Sequence, residues 1–204
     1  MIREFVDREI EAALLEEEWQ KAGGRLIILY GRRRIGKTRL ITEFIRGKQG
    51  ILHFAEDTAP QVQIRRFQAA VAEFFGDSLL ASLDLTSWGQ IFSYLAQKPV
   101  PERRYLVIDE FTYLIKNDPA ILSALQKAWD TALSGSNWCI ILAGSMLGMM
   151  SDLALSSTSP IYGRRTRDIL LGALRFPDAR KMLPTFSFRD ALRVHLTIGG
   201  IPEY

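Results

Sequence analysis

The stretch Gly31–Thr38, GRRRIGKT, decides how the rest of the chain is read. Its spacing, G-x-x-x-x-G-K-T, is that of a loop that wraps a phosphate. Each fixed position has a physical task. Gly31 and Gly36 allow positive φ and a close approach of backbone to an anion. Amides of the loop and of the following helix's first turn then converge on a β-phosphate, aided by the helix dipole. Lys37 brings a point charge to the β- and γ-phosphates, and the Thr38 hydroxyl suits a hard cation such as Mg²⁺. Arg32, Arg33, Arg34 and Ile35 fill the unspecified positions, where the backbone does the binding. The arginines then project outward. They form either a solvated basic rim that favours an anionic nucleotide or a docking surface for nucleic acid or a partner.

The flanks give the loop its setting. RLIILY at 25–30 is a short apolar run between turn residues, which predicts a buried strand. TRLITEFIRG at 38–47 predicts a helix, so the motif lies between strand and helix. Further strands are expected at 51–56, 104–110, 137–145 and 167–174. Helices are expected at 6–21, 60–76, 87–98 and 118–134, with Ser87 and Asp118 as N-caps and Pro60 and Pro119 in first turns. Strands that are apolar throughout are buried on both faces. Alternating with helices, they imply a parallel sheet covered on both sides, an α/β fold.

In such a sheet ligands sit beyond the carboxyl ends of the strands. The run YLVIDEF at 105–111 ends there in two acids. Asp109 fits an outer ligand of Mg²⁺, and Glu110 fits the group that orients and polarises an attacking water. Ser145, directly after CIILAG, either senses a γ-phosphate or caps the helix that follows. Arg164 and Arg165, in PIYGRRTRD, are either surface loop residues or reach the γ-phosphate of a neighbouring subunit.

Bulk properties set the remaining bounds. At 204 residues the chain suffices for one sizeable domain and the start of another. A net charge of +3 is too small to argue for nucleic acid. The single cysteine, Cys139, excludes an intrachain disulfide and fits a reducing cytosol. CIILAGSMLGMM is too short to span a bilayer, and the charged N-terminus does not resemble a signal peptide, so a soluble, cytoplasmic protein is expected. His53 and His195 lack neighbours at metal-ligand spacing. Trp19, Trp88, Trp129 and Trp138 are expected in the core rather than on a base-stacking platform.

Taken in order, FVDREIEAALLEE, YGRRRIGKTRLI, YLVIDEF, ILAGSM, IYGRRT and GGIPEY resemble the archaeal-type ATPases of the STAND branch of AAA+ P-loop proteins. The resemblance covers nearly the whole chain. It implies a three-layer αβα sandwich whose strands, numbered along the chain, lie in the order 5-1-4-3-2. It implies ATP with Mg²⁺ as cofactors, the latter on Thr38 and Asp109. Nucleotide contacts run from Gly31 through Arg39, joined by Val6, Arg8 and Glu9 against the adenine and by Pro202 from a helical lid. Lys37, Glu110, Ser145 as sensor and Arg164 as finger form the catalytic set. On this reading residues 1–176 are the ATPase domain, residues 177–204 begin the lid, and the chain stops inside it. Three functions remain open: slow, regulated ATP hydrolysis; a nucleotide-operated switch with incidental turnover; and an ATPase module serving a DNA-acting effector. Sequence leaves a homo-oligomer through the Arg164 region possible.

Overall fold

The structure, a computed structural model, describes residues 8–202. Its elements follow one another as α1 (Glu9–Gln20), β1 (Arg25–Gly31), α2 (Lys37–Ile45), β2 (Gly50–Phe54), α3 (Pro60–Phe75), α4 (Ser78–Ser82) and α5 (Trp88–Gln97). Then come β3 (Arg104–Asp109), α6 (Phe111–Asn117), α7 (Ala120–Thr131), β4 (Trp138–Gly144), α8 (Leu147–Leu155), β5 (Arg167–Leu171), α9 (Phe176–Lys181) and α10 (Phe188–Ile198). The five strands form one sheet in the order β2-β3-β4-β1-β5, which is the expected order read from the other edge. Every pairing is parallel.

Strand alternation divides the core into two apolar layers. Leu26, Ile28 and Tyr30 of β1 point to one face and Ile27 and Leu29 to the other. The first layer, under α3 and α5 to α8, is rich in aromatics, with Phe67, Trp88, Phe92 and Trp138 almost fully enclosed. Full burial of a side chain of this size stabilises by roughly 1.5–3 kcal/mol. The second layer is mainly aliphatic and lies under α1 and α2, where Leu15, Leu40, Ile41 and Phe44 meet Ile141, Ile169 and Leu171. Trp19 stacks edge-on against Phe44 at its margin.

Helix ends follow the local chemistry. α7 begins at Ala120, so Pro119 holds the N-cap position expected of Asp118 and lies outside the helix, while the Asp118 carboxylate accepts from the Ala120 N–H. The Gln90 side chain accepts from the Ser87 N–H at the start of α5. Beyond the strands' N-terminal edge, Glu18 is wholly buried and receives hydrogen bonds from Lys21, Arg25 and Arg167. Burial alone would raise its pKa, but hydrogen bonds from Lys21 and Arg25 outweigh that and bring it to about 2.

Because the strands run in parallel, their carboxyl ends share one edge. Gly31, Asp109, Gly144 and Leu171 end four of them there. The connection leaving β1 crosses to the β2 edge, whereas that leaving β4 crosses over β1 to β5, so the chain changes direction at this edge.

Candidate nucleotide site

The GRRRIGKT loop joins β1 to α2 at that edge. Gly36 takes φ 100° and Arg34 φ 66°, which turns the chain back onto the helix. Gly31 differs from expectation, because its φ is not positive. It is needed for space instead: a Cβ there would lie 2.7 Å from the Leu171 carbonyl oxygen. The loop therefore packs its first residue directly on the end of β5.

Lys37 opens α2 and is buried. Its ammonium donates to the Gly31 and Arg32 carbonyls at 3.1 and 3.2 Å. Burial holds its pKa below the usual lysine value, and the charges of Glu110 and Asp109 offset that only in part. Thr38 donates its hydroxyl proton to Asp109 Oδ2 at 2.6 Å. The other carboxylate oxygen, Oδ1, accepts from the Glu110 N–H at 2.9 Å. Glu110 holds a left-handed backbone, φ 52°, as β3 breaks into α6. Its Oε2 accepts from the Ser145 hydroxyl at 2.7 Å. Thr38, Asp109, Glu110 and Ser145 thus form one continuous hydrogen-bonded chain across the ends of β3 and β4.

The arginines of the loop do not behave alike. Arg32, Arg33 and Arg34 are all exposed, as expected of side chains that project outward. Arg33, however, donates to the Tyr113 hydroxyl at 2.5 Å, tying the loop to α6. Arg39 pairs with Glu43 one turn on. No motif marks Tyr113 in the sequence; its place one turn after Glu110 is the available signal. Ile35 is enclosed in the aliphatic layer.

Other expected site residues lie further off. Val6 falls outside the described residues. Arg8 is buried, with its guanidinium on the Ile35 and Gly172 carbonyls at 3.2 and 2.7 Å, while Glu9 is exposed in the first turn of α1. Pro202 lines a cavity of about 100 Å³ with Leu174, Met182, His195 and Ile201. Arg164 is at the opposite end of the sheet, where Thr166 pairs with Leu26 at the start of β1. Roughly 16 Å of strand separates that end from the loop. There Arg164 forks onto Asp130, with both contacts at 2.7 Å. Arg165 pairs with Asp168 and lies over the Tyr162 ring.

The family described as "ATPase domain predominantly from Archaea" matches residues 5–204. This chain belongs to that family. As a member of the archaeal ATPase family it is 30% identical over 200 residues to an uncharacterised protein of Methanocaldococcus jannaschii, covering 98% of this chain and 43% of that protein. Among solved structures it is similar to a Walker-type ATPase of Pyrococcus abyssi, with TM-score 0.70 and 22% identity over 97% of this chain and 64% of the other. It is also similar to a signal-transduction ATPase with numerous domains from Pyrococcus horikoshii that carries a tetratricopeptide repeat sensor. That match has TM-score 0.58 and 14% identity, over 97% of this chain and 28% of the other. These structural likenesses establish the P-loop ATPase fold. The chain spans under half the length of the curated relative. Family and fold together make it an ATPase module. Among the described residues no helix is long and apolar enough to cross a membrane.

Proposed function

We propose that the module binds Mg²⁺-ATP and hydrolyses it slowly and under regulation. The observation that carries this reading is the chain from Thr38 through Asp109 and Glu110 to Ser145. It brings a hydroxyl, two carboxylates and a second hydroxyl to the mouth of a loop built for phosphate. Lys37 would exchange the Gly31 and Arg32 carbonyls for phosphate oxygens, a stronger charge-assisted contact. Thr38 and Asp109 offer hard oxygen donors, which fits Mg²⁺ held mainly by phosphates and water. That ion, when bound, neutralises charge on the phosphates. Glu110 holds the attacking water in line and polarises it, and Ser145 positions the Glu110 carboxylate. Arg164 cannot reach its own loop across the sheet. Its role in hydrolysis is in a second copy of the chain, which makes the acting unit a homo-oligomer. Helices α9 and α10, with the cavity at Pro202, begin the lid.

One observation favours the neighbouring reading, a switch whose signal is the ATP-bound state. The Glu110 carboxylate is engaged by Ser145, which competes with its hold on a water. Nucleotide occupancy of the purified protein, set against its steady-state turnover, separates the two. The test of the site itself is Lys37→Ala. ATP affinity should fall by at least about tenfold, the worth of one charge-assisted hydrogen bond. An unchanged dissociation constant in a calorimetric titration would remove the loop from the site.

A further inference from the structure

Among the described residues only three non-glycine residues take positive φ: Arg8, Arg34 and Glu110. Two of them shape the site described above. The third, Arg8, is strained at φ 104° just before α1, and its side chain is almost completely enclosed. Strain of this kind costs on the order of 1–3 kcal/mol and persists only where the surroundings hold it. The holding contacts are specific. Nη1 meets Glu11 Oε1 at 3.1 Å, which neutralises the buried charge. Nη2 donates to the Ile35 carbonyl at 3.2 Å and to the Gly172 carbonyl at 2.7 Å. One nitrogen thus joins segments 27 and 164 residues away in the chain.

Those two carbonyls are well placed. Ile35 is the last residue of the loop before Gly36 and Lys37, and Gly172 is the first residue beyond β5. The loop's other end already touches β5, through the close approach of Gly31 to Leu171. Arg8 therefore completes a two-point attachment of the phosphate loop to the exit of β5. That exit leads directly to Leu174, whose N–H is held by the Gly200 carbonyl beyond α10.

We propose that Arg8 is a positioning residue that fixes the phosphate loop against the β5 exit, and so governs affinity for the polyphosphate rather than recognition of the base. The inference rests on the nucleotide reading above. A guanidinium suits the task because its rigid planar fork meets Glu11 through Nη1 and both carbonyls through Nη2, three acceptors held in fixed directions by two nitrogens, whereas a lysine offers one nitrogen on a flexible stem. Without it the Ile35 carbonyl loses its buried donor, and the amides preceding Lys37 are no longer aligned before ligand arrives. Misplacement by a fraction of an ångström in a preorganised site is enough to change binding by about tenfold.

The experiment compares the unmodified protein with Arg8→Lys and Arg8→Met. Direct ATP titration is combined with competition against bound nucleotide by GTP and by inorganic tripolyphosphate, which has no base or sugar. Thermal unfolding is followed alongside. We expect all three ligands to lose affinity by a similar factor, about tenfold, in both variants, with folding still cooperative. A loss confined to ATP, with tripolyphosphate unaffected, would show that Arg8 reads the base and would overturn the proposal. Unchanged affinities in folded variants would overturn it as well, as would failure of both variants to fold, which would make Arg8 purely structural. If the unmodified protein binds ATP but tripolyphosphate does not compete, the loop does not grip phosphate in the way required here. If the unmodified protein binds no ATP at all, the nucleotide reading itself fails first.

Discussion

Replacing Gly31 by alanine tests whether the motif's first glycine serves packing or backbone freedom. Its φ is unremarkable, so the new methyl meets no torsional penalty. It meets neighbours instead: the Leu171 carbonyl oxygen at 2.7 Å, the Leu171 Cβ at 3.0 Å and the Ile35 Cγ2 at 3.1 Å. The first contact is about 0.7 Å short of ordinary van der Waals distance, and it is with backbone, which no rotamer change relieves. Gly31 and Leu171 are also register partners, so the end of β5 must move away from β1. Overpacking costs roughly 1–3 kcal/mol and a weakened ladder bond about 1 kcal/mol more, so a loss of about 2–4 kcal/mol follows. Urea unfolding should show a lower midpoint with an unchanged slope. Gly36→Ala is the matched control. It has no atom within 4 Å of the new methyl but a φ of 100°, so its penalty is torsional and falls on the loop alone. Stability of Gly31→Ala equal to that of the unmodified protein would refute the packing argument.

Glu110→Gln keeps the shape and loses the base; ATP binding should persist while turnover falls by about 100-fold or more, and near-normal hydrolysis would remove Glu110 from the water-directing role. Arg164→Ala should bind ATP normally yet lose hydrolysis on the order of 10³-fold. Mixing it with Lys37→Ala should restore part of the rate. Specific activity independent of protein concentration in the unmodified protein would argue against action between subunits. His53 is buried against Phe67, and burial lowers its pKa from 6.5. Below pH 6.5 the unfolded chain therefore binds a proton that the folded chain resists, and stability is lost as pH falls. The difference in unfolding free energy between the unmodified protein and His53→Phe should be constant above about pH 7.5 and shift below 6.5; a difference that does not vary with pH would contradict this.

Much of the frame was legible in the sequence because burial on both faces leaves a plain mark. Within RLIILY, YLVIDE and NWCIILAG charged residues stand only at the ends: Arg25 opens β1, and the acids Asp109 and Glu110 appear where β3 ends. The sequence predicts a β5 three residues longer than the strand observed: Gly172 to Leu174 read as apolar, but at Gly172 the carbonyl is taken by Arg8 and pairing with β1 stops. Helices α4 and α6 are too short for a periodic pattern to establish. The strand order came from family resemblance; no local pattern encodes which strands become neighbours. The motif implies positive φ at both glycines; Gly36 has it, whereas Gly31 answers to crowding by Leu171, 140 residues on, which leaves no local trace. The Arg8 contacts and the Arg164–Asp130 fork were hidden for the same reason, since their partners are distant in the chain.

The placement of β1 between β4 and β5 also constrains how the chain can assemble. The Leu26 N–H bonds the Thr166 hydroxyl across 140 residues of chain, so the first strand finds its second neighbour only after almost everything else has been made. On a ribosome adding about 5–20 residues per second, that strand waits roughly 7–30 s with the backbone N–H and C=O groups of one edge unpaired. Loop closure over such a distance is also entropically slow compared with pairing between adjacent segments. A nascent chain cut short before Leu171 keeps that edge bare, and bare apolar strand edges recruit other chains. The strand that presents the phosphate loop is thus the last to be sealed, and the one most in need of shelter while synthesis continues.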